Sequence, residues 1–289
     1  MTKKFSIQEV EDLTCIKAAT LRIWQRRFDF LRPERINGNR IYTLNELELL
    51  INISHLKDNG YPISKLALLD AQSVLSKISQ LIHKDDQYRY AINRLVISMF
   101  SIDIYDFENH LNQYFNLFGI PNTLSDIIIP FIEKIKNLYA TKTYTEVLIA
   151  LTAIRGKIIY CIESLDFKLN SDQSAILFLP KNEQFDIILL YACYVLKSKG
   201  YKTIFLGTNI SEENIMIILK QNKPDYLFTY VTNEHTFNMP GLLTYIQEKL
   251  PGQRLNVLAG DKSILSFNDK VDAVNFMSHQ QLSRQILIA

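Results

Sequence analysis

At 289 residues, with 47% hydrophobic and 21% charged side chains, the chain has the make-up of an ordinary globular protein long enough for two or three cores. No apolar run approaches the roughly 20 residues needed to span a bilayer. The opening Met1-Thr2-Lys3-Lys4 leads into a patterned helix, not a secretory apolar region, so a cytoplasmic protein without a membrane helix is expected. The net charge of +2 excludes little as a total, yet residues 17–40 alone carry +5, from Lys17, Arg22, Arg26, Arg27, Arg32, Arg35 and Arg40 against Asp29 and Glu34. Such a stripe suits phosphate contact or a merely solvated face, and local pattern has to decide between them.

Ser6-Ile7-Gln8-Glu9 is a capping box, and Ile7, Val10 and Leu13 form the apolar face of a short first helix. A second helix is predicted from about Lys17 to Phe28, burying Ile16, Leu21, Trp24 and Phe28 and turning Thr20, Arg22, Gln25, Arg26 and Arg27 outward. With the tight connection at Thr14-Cys15 this is a helix-turn-helix, whose second helix lies in a DNA major groove. Glu34–Ile36 and Asn39–Ile41 then flank Asn37-Gly38, the signal for a type I′ hairpin turn. That ribbon carries Arg35 and Arg40, narrow enough to lie along a phosphate backbone. Thr43-Leu44-Asn45-Glu46 is a second capping box, opening a helix through Leu56 that stops at Asn59-Gly60, and Pro62 starts a fourth helix through Leu66 and Leu69.

Residues 75–170 repeat apolar side chains three and four apart, near 75–82, 88–100, 104–118, 124–139 and 144–165, which predicts a helical bundle. From about Gln173 the pattern alternates between strands (175–179, 203–206, 226–230, 255–258, 273–276) and helices (183–199, 211–221, 242–250, 280–286). Continuous apolar strands separated by helices indicate a doubly wound parallel sheet. The expected fold class is therefore multidomain α and α/β: a winged helix-turn-helix at 1–74, a helical bundle at 75–170 and a Rossmann-like or flavodoxin-like domain at 171–289. Cys15, Cys161 and Cys193 share no metal-ligand spacing and read as reduced thiols, and the five dispersed histidines form no zinc motif.

Residues Phe5–Leu69 closely resemble the MerR family of regulators. The resemblance rests on Phe5-Ser6-Ile7, Thr20-Leu21-Arg22-Ile23-Trp24, Arg26-Arg27-Phe28, Leu31-Arg32-Pro33, Arg35, Gly38, Arg40, Tyr42 and Gly60-Tyr61-Pro62-Ile63. It implies that Thr20, Arg22 and Arg26 serve the recognition helix and that Arg35, Arg40 and Tyr42 serve the wing. Lys17, Arg27 and Asn39 complete the expected double-stranded DNA contacts. Most would grip phosphates, with one or two reading bases. Two positions depart from the family: its turn glycine is here Cys15, which would have to accept a left-handed backbone angle, and its small polar cap is here Lys17.

A MerR-like head followed by a helical bundle and such a sheet resembles the cobalamin-dependent photoreceptor repressors of the CarH type. That resemblance implies a Glu-x-His-x-x-Gly element after the first strand, where this chain has Glu183-Gln184-Phe185-Asp186-Ile187-Ile188. Phe185 stands at the cobalt-ligating His and Ile188 at the Gly, while the later Gly-Gly is Ala259-Gly260. The bundle's Trp is missing, since Trp24 is the chain's only one, and Val147-Leu148 fall at its Glu-His pair. No cofactor and no metal are therefore expected, with His110 and His235 weak substitutes for the lost ligand.

The first reading is a sequence-specific regulator with a degenerate cobalamin-type sensory half, acting as a dimer or higher oligomer on a near-palindromic promoter site, with RNA polymerase or another protein as a further partner. The second keeps cobalamin, bound without the His. A corrinoid enzyme subunit lacks a catalytic constellation in support, and a pure interaction protein conflicts with the retained arginines.

Overall fold

The computed structural model describes residues 3–81, 83–141, 145–166, 172–181, 183, 186–231, 244, 248, 254–259 and 274–277. The chain divides into two units, Met1–Ala153 and Ile154–Ala289.

The first unit opens with β1 (Lys4–Ser6), which runs straight into α1 (Ile7–Thr14). Both expected capping boxes form. The Glu9 amide donates to Ser6 Oγ (3.3 Å) and the Ser6 amide to Glu9 Oε2 (2.6 Å). Likewise the Glu46 amide donates to Thr43 Oγ1 (3.2 Å) and the Thr43 amide to Glu46 Oε2 (2.8 Å). Each reciprocal pair satisfies amides that a helix start leaves without partners. Between the two boxes lie α2 (Ala18–Arg27) and the hairpin of β2 (Glu34–Ile36) and β3 (Asn39–Thr43). Asn37 and Gly38 adopt φ of 51° and 79°, as a type I′ turn requires. The order β1-β3-β2 makes the wing three-stranded, all antiparallel.

α3 (Leu44–Asp58) is the hub of this unit. Leu47, Leu50, Ile51, Ile53, His55 and Leu56 are all buried, so the helix is enclosed on nearly every side. It packs on α1, on α5 (Ala71–Ser79) and on α6 (Lys84–Ser101), and Ser54 Oγ donates to the Thr14 carbonyl (2.8 Å) at the end of α1. The fourth helix is shorter than its pattern suggests. α4 covers only Ile63–Leu66, and Asp70 caps a fresh helix by accepting from the Ser73 amide (2.7 Å).

α7 (Ile104–Asn122), a π-helical turn (Thr123–Ile128) and α8 (Ile129–Thr141) run on from one another, and α9 (Thr145–Glu163) follows. Gly119 at φ 76° and Pro121 bend the first junction. The stretch Ile104–Lys136 is long and apolar enough, by length and composition, to cross a membrane. This corrects the expectation that no run comes close: Asn112, Gln113, Asn116 and Asn122 interrupt the apolar run without lowering its average below that of a span. Part of its apolar surface is used internally, although Tyr105 and Leu117 remain exposed. Phe107, Leu124, Ile127 and Phe131 are buried, α7 and α8 pack on α6, and α8 packs on α1.

A buried histidine lies where α3 meets α6. His55 is fully enclosed, its Nε2 lies 3.0 Å from Asp86 Oδ1, and its Nδ1 has no hydrogen-bond partner. Burial pushes its pKa below the usual 6.5, and the Asp86 carboxylate opposes this without reversing it. The unfolded chain therefore binds this proton more readily than the folded one. His55's contribution to stability is full above about 6.5 and is lost as pH falls below that. The thermal midpoint of the chain should stay level from pH 8 to 7 and drop as pH is lowered toward 5.5, and the drop should shrink in His55→Gln. A midpoint unchanged by acidification in this window contradicts the assignment.

The second unit carries five parallel strands: β4 (Ser174–Phe178), β5 (Lys202–Phe205), β6 (Tyr226–Val231), β7 (Arg254–Ala259) and β8 (Val274–Met277). Their spatial order, β5-β4-β6-β7-β8, is the second-first-third-fourth-fifth arrangement of doubly wound flavodoxin-like sheets. Ala175–Phe178 of β4 are all buried, which explains why the strand is apolar throughout and does not alternate. α10 (Ile187–Ser198) and α11 (Glu212–Asn222) provide the first two crossovers. The side chain of Arg155 on α9 closes a two-pronged ion pair on Asp186 at the start of α10, at 2.8 Å for each prong. Thr244 and Glu248 are helical, and the remainder of the helix expected at 242–250, like the closing helix at 280–286, lies outside the described residues.

Candidate nucleic-acid interface

α2 is built to show one face and bury the other. At about 100° per residue, Leu21 and Trp24 fall on one side and are buried at 0% and 5% exposure. Ala19, Arg22, Ile23 and Arg26 share the opposite side and are exposed, with Thr20 and Arg27 at its margin. Arg22, Arg26 and Arg35 take part in no ion pair among the described residues, although Arg22 lies near enough to Glu11 to help lower its pKa. Arg27 lies over the ring of Phe28, 5.5 Å from its centroid, and Phe28 is half-buried, less enclosed than its expected core role. Arg32, counted in the basic stripe, is tied to Asp29.

The start of α2 has an unexpected solution. Lys17 makes no side-chain cap, and Glu11 from α1 supplies one, its Oε2 accepting from the Ala18 amide at 2.9 Å and its Oε1 from Lys17 Nζ at 3.0 Å. The Ala18 amide and then Lys17 hold the Glu11 carboxyl below its usual pKa. Lys17 is thus exposed but partnered, and its charge is partly offset. Cys15 does adopt the left-handed conformation, at φ 59° and ψ 13°, closing α1 through its amide on the Glu11 carbonyl (2.8 Å). A side chain there costs energy that glycine avoids, and Cys15 is exposed. Cys15→Gly should therefore stabilise the chain by about 1 kcal/mol in urea unfolding, and a loss of stability would argue that the thiol makes a contact of its own.

The wing is joined to α2 by a short relay. Arg40 Nε donates to Gln25 Oε1 (2.6 Å), and Gln25 Nε2 donates to the Tyr42 hydroxyl (2.7 Å). Tyr42 itself is completely buried, opposite Phe5 in the β1–β3 register. This corrects the expectation that Tyr42 touches DNA: a side chain with no exposed surface reaches no phosphate, and its hydroxyl instead fixes Gln25. Gln25 lies one turn from Arg22, so Arg40 is held beside the exposed face of α2. Arg35 and Arg40 are direct partners across the hairpin, and Asn39 is exposed at its turn end. Two like charges facing each other repel, and an anion between them would relieve that. Arg22, Arg26 and Arg35 are exposed, Arg40 is half-buried where it pairs with Arg35 and bonds Gln25 of α2, Thr20 and Asn39 are at the margin, and Tyr42 is withdrawn into the core. Reasoning on the sequence missed three contributors: Glu11, the connecting Gln25, and Ile23, which is 42% exposed amid the arginines. A helical wheel would have found Ile23, since it lies about 60° from Arg26 and on the side away from Leu21 and Trp24.

The positions that the cobalamin resemblance singles out offer the cobalt nothing. Ile188 is 1% exposed within α10, Val147 is 0% and Leu148 is 42% exposed, all with hydrocarbon side chains. Phe185 lies outside the described residues, as do His235 and Gly260. His110 is engaged elsewhere, stacked on Tyr114 with ring centroids 5.9 Å apart and 3.4 Å from Asp106. Among the described residues no three His, Cys, Asp or Glu side chains group as a metal site. These residues do not fit a ligated cobalt.

Comparison with known proteins bears on the N-terminal residues by sequence and on the chain by fold. Residues 5–72 match the family described as MerR HTH family regulatory protein. Over 66 residues the chain is 36% identical to the HTH-type transcriptional regulator MlrA of Escherichia coli K12, covering 22% of this chain and 27% of that protein. Over 62 residues it is 37% identical to the HTH-type transcriptional repressor CarA of Myxococcus xanthus, covering 20% and 22%. The match thus spans about a quarter of the length of these relatives. In fold, the chain is similar to the monomethylamine corrinoid protein of Methanosarcina barkeri, with a TM-score of 0.53 at 13% identity, covering 70% of this chain and 99% of that one. The two capped helices, the wing beside them and the family match together make residues 5–72 a MerR-type helix-turn-helix domain.

Proposed function

We propose that the chain is a sequence-specific DNA-binding transcription regulator of the MerR type. The observation that carries this reading is the exposed face of Arg22 and Arg26 on α2, to which the half-buried Arg40 of the wing is joined by the Gln25–Tyr42 relay. In this reading α2 enters the major groove, where Arg22 and Arg26 meet phosphates and base edges and Ile23 offers an apolar contact to thymine methyls. The wing lays Arg35 and Arg40 along the adjoining backbone, with Thr20, Lys17, Arg27 and Asn39 at the edges of the footprint. Two copies would bind a near-palindrome through successive grooves, repressing by occupancy or activating by deforming the promoter, with RNA polymerase or another protein as the further partner. We assign residues 1–74 to the duplex, 75–170 to a helical segment and 171–289 to the α/β segment, in a cytoplasmic protein that is not an enzyme.

Mapping the sites occupied by the tagged chain across its genome tests this directly. The expected result is a shared near-palindromic sequence at promoters, lost in an Arg22→Ala/Arg26→Ala control. Occupancy unchanged by that control would overturn the reading.

We further propose that this regulator works without cobalamin. The hydrocarbon side chains of Ile188, Val147 and Leu148 support that, whereas the likeness in fold to a corrinoid protein favours a second reading in which cobalamin is bound without a histidine. Incubation with adenosylcobalamin in the dark followed by gel filtration separates the two. A visible corrin band that co-elutes with the protein supports the second, and a colourless protein peak supports the first.

A further inference from the structure

Within the first unit, the end of α6, the start of α7 and the start of α9 line a half-open cavity of about 150 Å³. Its walls are mainly apolar, formed by Met99, Ile104, Phe107, Ile149 and Ala150. A cavity of this size is about large enough for a benzene ring. One side is different: Glu146, only 9% exposed, sets a carboxylate at the edge of this apolar space. Asp103 also borders it, but caps α7 by accepting from the Asp106 amide (2.9 Å).

Glu146 is held by a residue from the far end of the sequence. Lys3 Nζ lies 2.6 Å from Glu146 Oε1 and 5.8 Å from the centroid of the Phe100 ring. Burial pushes the Glu146 carboxyl up, but the Lys3 ammonium and the residue's own backbone amide together pull it down by more, so the acid is charged at neutral pH. Lys3 directly precedes β1, and β1 pairs with β3, placing Phe5 against Tyr42 and Ser6 against Ile41. The same β3 carries Arg40. One ion pair therefore ties the cavity wall to the strand that backs the wing.

We propose that this cavity is an effector site for a small primary amine with a compact apolar body, whose ammonium takes Glu146 from Lys3 and thereby loosens β1 against β3. An apolar chamber with a carboxylate at its edge selects such a cation over a neutral molecule of the same shape, because only the cation replaces the charge that Glu146 loses with Lys3. The signalling role rests on the regulator reading above. The binding itself does not.

The test uses the full chain without DNA, with 2-phenylethylamine as the probe and 2-phenylethanol as its neutral counterpart, followed by calorimetry and amide hydrogen exchange. The amine should bind at least tenfold tighter than the alcohol, and that preference should vanish in Glu146→Gln. Lys3→Gln, which removes the competing ammonium, should tighten amine binding, and Ala150→Leu, which fills the chamber, should abolish it. With amine bound, amides of Lys4–Ser6 and Ile41–Thr43 should exchange faster. Equal affinity for the two probes, no binding of either, or weakened amine binding in Lys3→Gln overturns the proposal even if Glu146→Gln does not fold. Amine binding without faster exchange in β1 and β3 overturns the coupling. A chain that binds amine as described but no DNA would refute the regulator reading alone.

Discussion

Replacing Arg22 and Arg26 together by alanine is expected to weaken binding to a recovered promoter duplex by about 100-fold or more, since each such contact is worth roughly 1–3 kcal/mol. The fold should be untouched. Both side chains are exposed, and neither takes part in an ion pair among the described residues, so their removal empties no core and strands no partner. Fluorescence anisotropy of the labelled duplex measures the loss, and an unchanged thermal midpoint excludes unfolding as its cause. Arg32→Ala is the matched control, because that guanidinium is already committed to Asp29, and its effect should be several-fold at most. Equal losses in both variants would mean that general charge, not placement on α2, governs binding.

The largest effect on stability is expected from Phe5→Ala, at roughly 3–5 kcal/mol. Phe5 is 1% exposed, sits opposite Tyr42 in the wing sheet, and meets Phe100 edge-on with ring centroids 4.8 Å apart and planes at 81°. Its removal takes apolar area from both the sheet and α6, together with the aromatic pair. Because α1 and α3 pack directly on α8 and α6, the head and these helices share a core, and the loss should lower one cooperative transition by roughly 10 °C. Ile36→Ala in the wing, where the side chain is 39% exposed, should cost little. A Phe5→Ala protein as stable as the parent would show that the head does not depend on α6.

Whatever was local in the chain could be read from it. Ser6 with Glu9, Thr43 with Glu46, and Asn37-Gly38 each contain their whole physical cause within four residues, and each formed as expected. The strand β4 was legible for a related reason, since a strand buried on both faces is apolar at every position. What escaped depends on partners distant in sequence. β1 has three residues and no pattern of its own, and it is a strand because Phe5 finds Tyr42. Tyr42 reads as a surface group because hairpin residues flanked by arginines suggest an exposed ribbon, but β1 covers the ring and Gln25 takes the hydroxyl. Glu11 as the cap of α2 was invisible because a capping acid is sought at the cap position, not on the preceding helix. The break at Asp70 leaves no mark in the pattern because apolar spacing continues through Leu66 and Leu69 while the helical backbone does not.

At the candidate interface, residue type was enough to nominate the arginines but not to rank them. Arg22, Arg26, Arg35, Arg32 and Lys17 have equal standing in the sequence, and only their partners distinguish them. Asp29 and Glu11 hold the last two, while the first three make no ion pair among the described residues.

The dependence of duplex affinity on salt tests the central claim most directly. If a helix face and wing bearing Arg22, Arg26, Arg35 and Arg40 together lie on the phosphates, the logarithm of the association constant should fall linearly with the logarithm of salt concentration. With about four contacts per copy, the slope should be near −4 for one head and about twice that for a pair. Binding with a slope near zero, or a slope that Arg22→Ala/Arg26→Ala leaves unchanged, would contradict the account.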